Sequence, residues 1–90
     1  MAIAVYMHPE GLTGAKYDEV HRLLIEAGHE FPEGRIHHSC FGADGDLMVY
    51  NIWESQEAFD AFGPILGPIL AQVGVTMAAA PDIMPIYAMD

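Results

Sequence analysis

The sequence predicts an α+β fold, a four-stranded antiparallel sheet with two helices on one face, and three observations carry that expectation. Segments with strand and helix character follow one another in the order β-α-β-β-α-β. An Asp44-Gly45 pair sits between two β-like runs, a strong short-range hairpin signal. The first, third and last strand-like runs are apolar at both parities, so both faces of the sheet call for cover.

The first strand is expected over Ala2 to His8, a run of β-formers closed by the turn residues Pro9-Glu10-Gly11. Thr13 is the expected N-cap of a first helix from Gly14 to Ala27, in which Tyr17, Val20, Leu24 and Ala27 recur at helical spacing and Gly28 ends the run. A connection through Pro32-Glu33-Gly34 leads to a second strand, Arg35 to Phe41, and the hairpin leads to a third, Leu47 to Trp53. Ser55 caps a second helix carrying Phe59, Phe62, Ile65, Leu66, Ile69, Leu70 and Val73. Pro64 and Pro68, in the repeated Gly-Pro-Ile-Leu, are expected to break or kink it. A small-residue connection over 74–82 precedes a last strand from Ile83 to Met89, where Pro85 marks an edge or a strand end.

This order is the ferredoxin-like βαββαβ arrangement, expected to fill one domain over residues 1–90. Two helices cover one face of such a sheet. A second copy, sheet against sheet, is the simplest cover for the other, giving a homodimer through the sheet face.

Composition narrows the function classes. The 90 residues are 52% hydrophobic, with Lys+Arg 3 against Asp+Glu 13 and a net charge of -10. So acidic a chain is a poor phosphate-backbone or anionic-membrane binder, so neither nucleic acid nor membrane is expected as a partner. The single cysteine, Cys40, makes no internal disulfide, and no apolar run approaches a membrane span, so a reducing cytoplasmic setting is expected.

A two-residue turn at Asp44-Gly45 would pair Ile36 with Trp53, His38 with Asn51 and Cys40 with Val49 on one face of the sheet, and His37 with Ile52 and Ser39 with Tyr50 on the other. A three-residue loop with a bulge would slip the pairing by one. The first face gathers an imidazole, an amide, an indole and a thiol. Tyr17 and His21, one helical turn apart, would look down on it, with Phe62 reaching in from the second helix. His38 suits acid/base work near neutrality and Asn51 suits orientation of a carbonyl or oxyanion. Trp53 supplies a flat apolar wall, and Cys40 a buried thiol. The same residues also admit a structural reading, His38 and Asn51 satisfying each other in a core and Trp53 anchoring the packing. No metal-ligand spacing and no phosphate-binding glycine pattern is present, so neither a metal nor a nucleotide cofactor is expected. The charges fall mostly on the first helix and the loops, which points to a small neutral apolar or aromatic ligand.

The run Pro9-Glu10-Gly11-Leu12-Thr13 with Tyr17-Asp18, then Pro32-Glu33-Gly34 with His38, then Trp53-Glu54-Ser55 with Phe59 and Phe62, Pro68 with Gly74, and Pro81-Asp82-Ile83-Met84-Pro85-Ile86 resembles small bacterial dimeric α/β barrel proteins, relatives of the antibiotic biosynthesis monooxygenase family. The resemblance covers nearly the whole chain. It implies a ferredoxin-like protomer, a homodimer and a pocket between sheet and helices. The superfamily includes cofactor-free monooxygenases acting on aromatic polyketide-like phenols, haem-degrading enzymes, lactone isomerases and polyketide cyclases. Its monooxygenases use pocket Asn and Trp groups, which Asn51 and Trp53 resemble in type. In the haem-degrading branch the ligand is a histidine on the second helix, and residues 55–73 contain none. The leading expectation is therefore a small-molecule-binding barrel acting as a cofactor-independent monooxygenase on an aromatic or polyketide-like substrate, with His38 and Asn51 catalytic and Tyr17, His21, Cys40, Trp53 and Phe62 lining the pocket. The alternatives are a non-catalytic binding or stress-responsive barrel, and a cyclase or isomerase using His38 as base.

Overall fold

Alternation of Ile3, Val5 and Met7 with Ala4 and Tyr6 gives β1 (Ile3–Met7) one fully buried face, and this strand lies inside the sheet. The computed structural model describes residues 1–89; Asp90, the last residue of the expected domain, lies outside them. After β1 the chain runs through β2 (Pro9–Glu10), α1 (Gly14–Glu26), β3 (Arg35–Ala43), β4 (Asp46–Trp53), α2 (Gln56–Val73), β5 (Thr76–Met77) and β6 (Asp82–Pro85). Four strands form an antiparallel sheet in the order β3-β4-β1-β6, the ferredoxin-like topology expected from the element order.

Both expected caps form. Thr13 Oγ1 accepts from the Lys16 N–H at 3.1 Å and Ser55 Oγ accepts from the Ala58 N–H at 3.1 Å, each satisfying one of the unpaired donors of a helix start. The core lies between helices and sheet. Ile3, Val5, Met7, Val49 and Trp53 come from the strands, Val20 and Leu24 from α1, and Phe62 from α2.

Three expectations need correction. The second helix is neither broken nor restarted: α2 continues through Pro64 and Pro68. Both prolines, and the Gly63 and Gly67 before them, are on its exposed side, so the carbonyls deprived of a donor face water. A glycine ahead of each proline also lacks the Cβ that would clash with the ring. The last strand stops at Pro85 and does not reach Met89, because Pro85 pairs with Ile3 at the start of β1 and only the Ile86 N–H, donating to the Ala2 carbonyl at 3.1 Å, extends the contact. Pro9-Glu10, expected as a turn, pairs with Thr76-Met77 in a two-stranded sheet. Two residues on each side are too few to show a period.

The far face of the four-stranded sheet carries Ala4, Tyr6, Met48, Tyr50 and Ile52 with His37, Ser39, Phe41 and Met84. Phe41 is 44% and Met84 51% exposed, and no element among the described residues packs over them.

Glycine is required where the connection enters β3. Gly34 has φ 86°, and a Cβ there would stand 2.6 Å from the Ala58 Cβ and 3.2 Å from Glu54 Cγ. Gly45 shares the conformation, φ 91°, but a Cβ would meet nothing within 4 Å. Gly34→Ala therefore combines backbone strain with overpacking and is expected to cost about 3 kcal/mol, against about 1 kcal/mol for Gly45→Ala. Thermal unfolding of the two variants checks this, with Gly34→Ala melting on the order of 10 °C lower than Gly45→Ala.

Candidate functional site

The hairpin fixes the site. Gly42 pairs with Leu47 and Ala43 with Asp46, so Asp44-Gly45 is the two-residue turn, and His38 faces Asn51, Ser39 faces Tyr50 and Cys40 faces Val49 as expected. Asp44 Oδ1 also accepts the Gly14 N–H at 2.7 Å, and the Leu47 N–H donates to the Leu12 carbonyl at 3.1 Å. These bonds tie the turn to the start of α1, where a carboxylate is electrostatically favoured, and they bring Tyr17 over His38.

Three rings lie nearly parallel. Tyr17 and His38 are 5.9 Å apart between centroids at 6°, and Tyr17 and His21 are 6.3 Å apart at 12°. His38 Nδ1 lies 2.5 Å from Asn51 Oδ1, and its Nε2 lies 2.6 Å from the Tyr17 hydroxyl. An amide oxygen only accepts, so Nδ1 carries the proton and Nε2 presents a lone pair. The Tyr17 O–H therefore donates to Nε2, and protons are aligned from Tyr17 through His38 to Asn51. Asn51 is 4% exposed, the only polar side chain in the buried class among the described residues.

Burial is the main influence on these groups. It holds His38 below its ordinary value of 6.5; the Asn51 bond opposes this, and the charges of Arg35, His21 and His37 add to it. Burial also raises the Tyr17 phenol, and Cys40 and Asp18 push the same way while Arg35 pulls it down. Cys40 is raised by burial and then by Asp18, so its thiol stays protonated and unreactive near neutrality.

These residues open onto an apolar cavity of about 80 Å³ between sheet and helices. Its walls include Met7, Val49, Leu66, Leu70 and Met77, and Tyr17, His21, His38, Asn51 and Phe62 all reach it. Two of the expected lining residues do not. Trp53 is 1% exposed and covered by Phe59 and Phe62, with ring centroids 5.8 and 5.3 Å away, so it backs the wall as a packing anchor. Its Nε1 has no hydrogen-bond partner among the described residues. Cys40 packs against the core beside the cavity.

One wall residue was not foreseen. The pairing shifts between Arg35 and His37: Arg35, not Ile36, lies opposite Trp53. Ile36 becomes the extra residue of a bulge and is left 52% exposed, while Arg35 takes the cavity-facing position. Arg35 and the neighbouring Glu30 therefore place charge on a wall expected to be nearly neutral. Nothing in the alternation of residues 35–41 marks the bulge.

No protein-family model matches the sequence, and no curated protein does. Solved structures do share the fold. A candidate antibiotic biosynthesis monooxygenase from Caulobacter crescentus is similar at 21% identity and a TM-score of 0.61, covering 99% of this chain and 91% of that one. SnoaB, a cofactor-independent oxygenase from Streptomyces nogalater determined as a point mutant, is similar at 13% identity and 0.65, covering 98% and 94%. A monooxygenase from the gene ActVA-Orf6 of Streptomyces coelicolor, determined with nanaomycin D bound, is similar at 19% identity and 0.57, covering 98% and 89%. The chain is thus antibiotic-biosynthesis-monooxygenase-like in fold. No helix among the described residues is long and apolar enough to cross a membrane.

Because the fold keeps His38 neutral more strongly than the unfolded chain does, the unfolded state binds its proton first as pH falls through about 6.5. Stability attached to this residue is complete above that pH and declines below it. Melting curves from pH 7.5 to 5 should show a larger fall for the wild type than for His38→Gln, the difference being on the order of a few degrees.

Proposed function

We propose that the chain is a cofactor-independent monooxygenase that binds a compact phenol in the cavity and uses His38, acting through Tyr17, as its base. The observation that carries this reading is the proton chain Tyr17 to His38 to Asn51 opening onto apolar walls. A substrate hydroxyl that donates to the Tyr17 oxygen loses its proton as Tyr17 passes its own to Nε2, and Asn51 Oδ1 steadies the imidazolium that forms. The electron-rich phenolate then reduces dioxygen. In the overall balance a phenol with an open para position and one O₂ give a quinone and one water: the ring loses its O–H and one C–H hydrogen, one oxygen atom becomes the new carbonyl, and the other leaves as water. The named activities of SnoaB and the ActVA-Orf6 protein support the reaction class.

The cavity bears on substrate size. At roughly 10–15 Å³ per water position, its volume corresponds to a handful of waters, which suits one ring better than a fused polycycle.

The apolar far face of the sheet supports a second copy as its cover, making the working form a homodimer. Sedimentation should then give twice the 9.8 kDa of the chain, with Tyr50→Glu shifting the protein to monomer. A monomeric wild type would remove this part of the proposal.

Oxygen uptake and product mass with a monocyclic phenol test the reaction. The expected product gains one oxygen and loses two hydrogens, and His38→Gln lowers kcat by about 10²–10⁴-fold. A His38→Gln protein as fast as wild type would overturn the role of the base. A product of unchanged mass would favour a cyclase or isomerase, and no turnover at all would favour a binding protein.

A further inference from the structure

A cation inside the cavity wall is the feature that the phenol reading leaves unused. Of the three Lys and Arg residues, Arg22 is held by Glu19 and Glu26 on the surface of α1, and the Lys16 ammonium donates to the Gly74 carbonyl at 3.0 Å. Arg35 alone lines the cavity. It is half-buried, and the one hydrogen bond its side chain makes among the described residues is a long one, Nη2–H to the Glu30 carbonyl at 3.3 Å. Among the described residues no carboxylate lies within ion-pair distance of it, although the chain has 13 Asp and Glu.

A guanidinium carries five donors in a fixed fork, so most of those of Arg35 are unspent. Partial burial of an unpaired cation is unfavourable, and an anion entering the cavity offsets that cost. The bulge shows how the position arises: an unbroken ladder would turn Arg35 away from the helices and put Ile36 in its place. Arg35 lines the same cavity as Tyr17 and His38, so an anion on its fork would share that cavity with the proton chain.

We infer that Arg35 is the anchor for a carboxylate on the ligand, so that the cavity takes a small aromatic acid, its carboxylate on the Arg35 fork and its ring among Val49, Phe62, Leu66 and Leu70. This rests on the reading of the cavity as the ligand site and names the ligand's chemical class, replacing a neutral ligand with an anionic one. Glu30, the one acidic residue on the same wall, is the natural competitor of a ligand carboxylate for Arg35.

The test is equilibrium binding of benzoate and of benzamide, equal in shape and different in charge. It is followed by chemical-shift titration of the full chain at pH 8, where His38 is neutral and Arg35 supplies the charge. Wild type should prefer benzoate by at least about tenfold, with shifts at Tyr17, Val49 and Asn51. Arg35→Met, which keeps an apolar stem in place, should bring the preference close to one, chiefly through loss of benzoate affinity. Arg35→Lys should retain part of it, and Glu30→Gln should retain or increase it. Equal affinity for the two probes, a preference that survives Arg35→Met, or no cavity binding of benzoate at millimolar concentration would each overturn the assignment. No turnover enters the measurement, so it is separable from the base: a His38→Gln protein that still prefers benzoate keeps the anchor whatever becomes of the oxygenation.

Discussion

The two-residue turn at Asp44-Gly45 is the constraint on which the site depends. Side chains on a strand alternate with a period of two, so a turn one residue longer would slip β3 by one and send His38 to the far face, while Asn51, held by the pairing of β4 with β1, would lose its partner. The turn is also fastened to the helix layer. Asp44 accepts the first N–H of α1 and Leu47 donates to the chain just before it, so the register of the hairpin and the position of α1 are set together. Tyr17 falls over His38 because both hang from the same joint.

The chemistry then follows from the order of donors. Asn51, buried in the core, fixes the tautomer of His38; the tautomer fixes the lone pair on Nε2, and the lone pair takes the Tyr17 hydroxyl. Burial shifts the histidine and the tyrosine away from their charged forms, the resting state that a proton relay needs. Such a chain is mutually satisfied when the cavity is empty, so the hydrogen bonding that a structural reading of His38 and Asn51 requires and the arrangement that catalysis requires are the same at rest.

Much of this was legible in the sequence because it is periodic or stereochemically marked. Thr13 and Ser55 announce their helices by the need to satisfy N–H groups, and the Asp-Gly pair fixes the partners of His38, Ser39 and Cys40. The misses share a different character. The continuity of α2 depends on which side of the helix its prolines face, and that is settled by packing rather than by the proline. The bulge at Ile36 leaves no trace in the alternation before it, yet it decides whether Arg35 or Ile36 looks inward. The type of Trp53 admits both a wall and a packing anchor; Phe59 and Phe62 pack against it and decide for the anchor, and that layering depends on how α2 lies across the sheet.

The prolines of α2 bear on more than its continuity. Phe62, Leu66 and Leu70, on the inner side of this helix, form one wall of the cavity, and the hydrogen bonds missing at Pro64 and Pro68 are on the outer side of the same turns. A beam with its outer chords cut flexes about the cut. The sheet wall, with β1 and β4 each paired on both sides, is interrupted among these ladders by the bulge at Ile36. The room in this cavity is therefore an elastic property of one helix, and the stiffness of that helix, more than the shape of the sheet, governs how large a guest can be admitted.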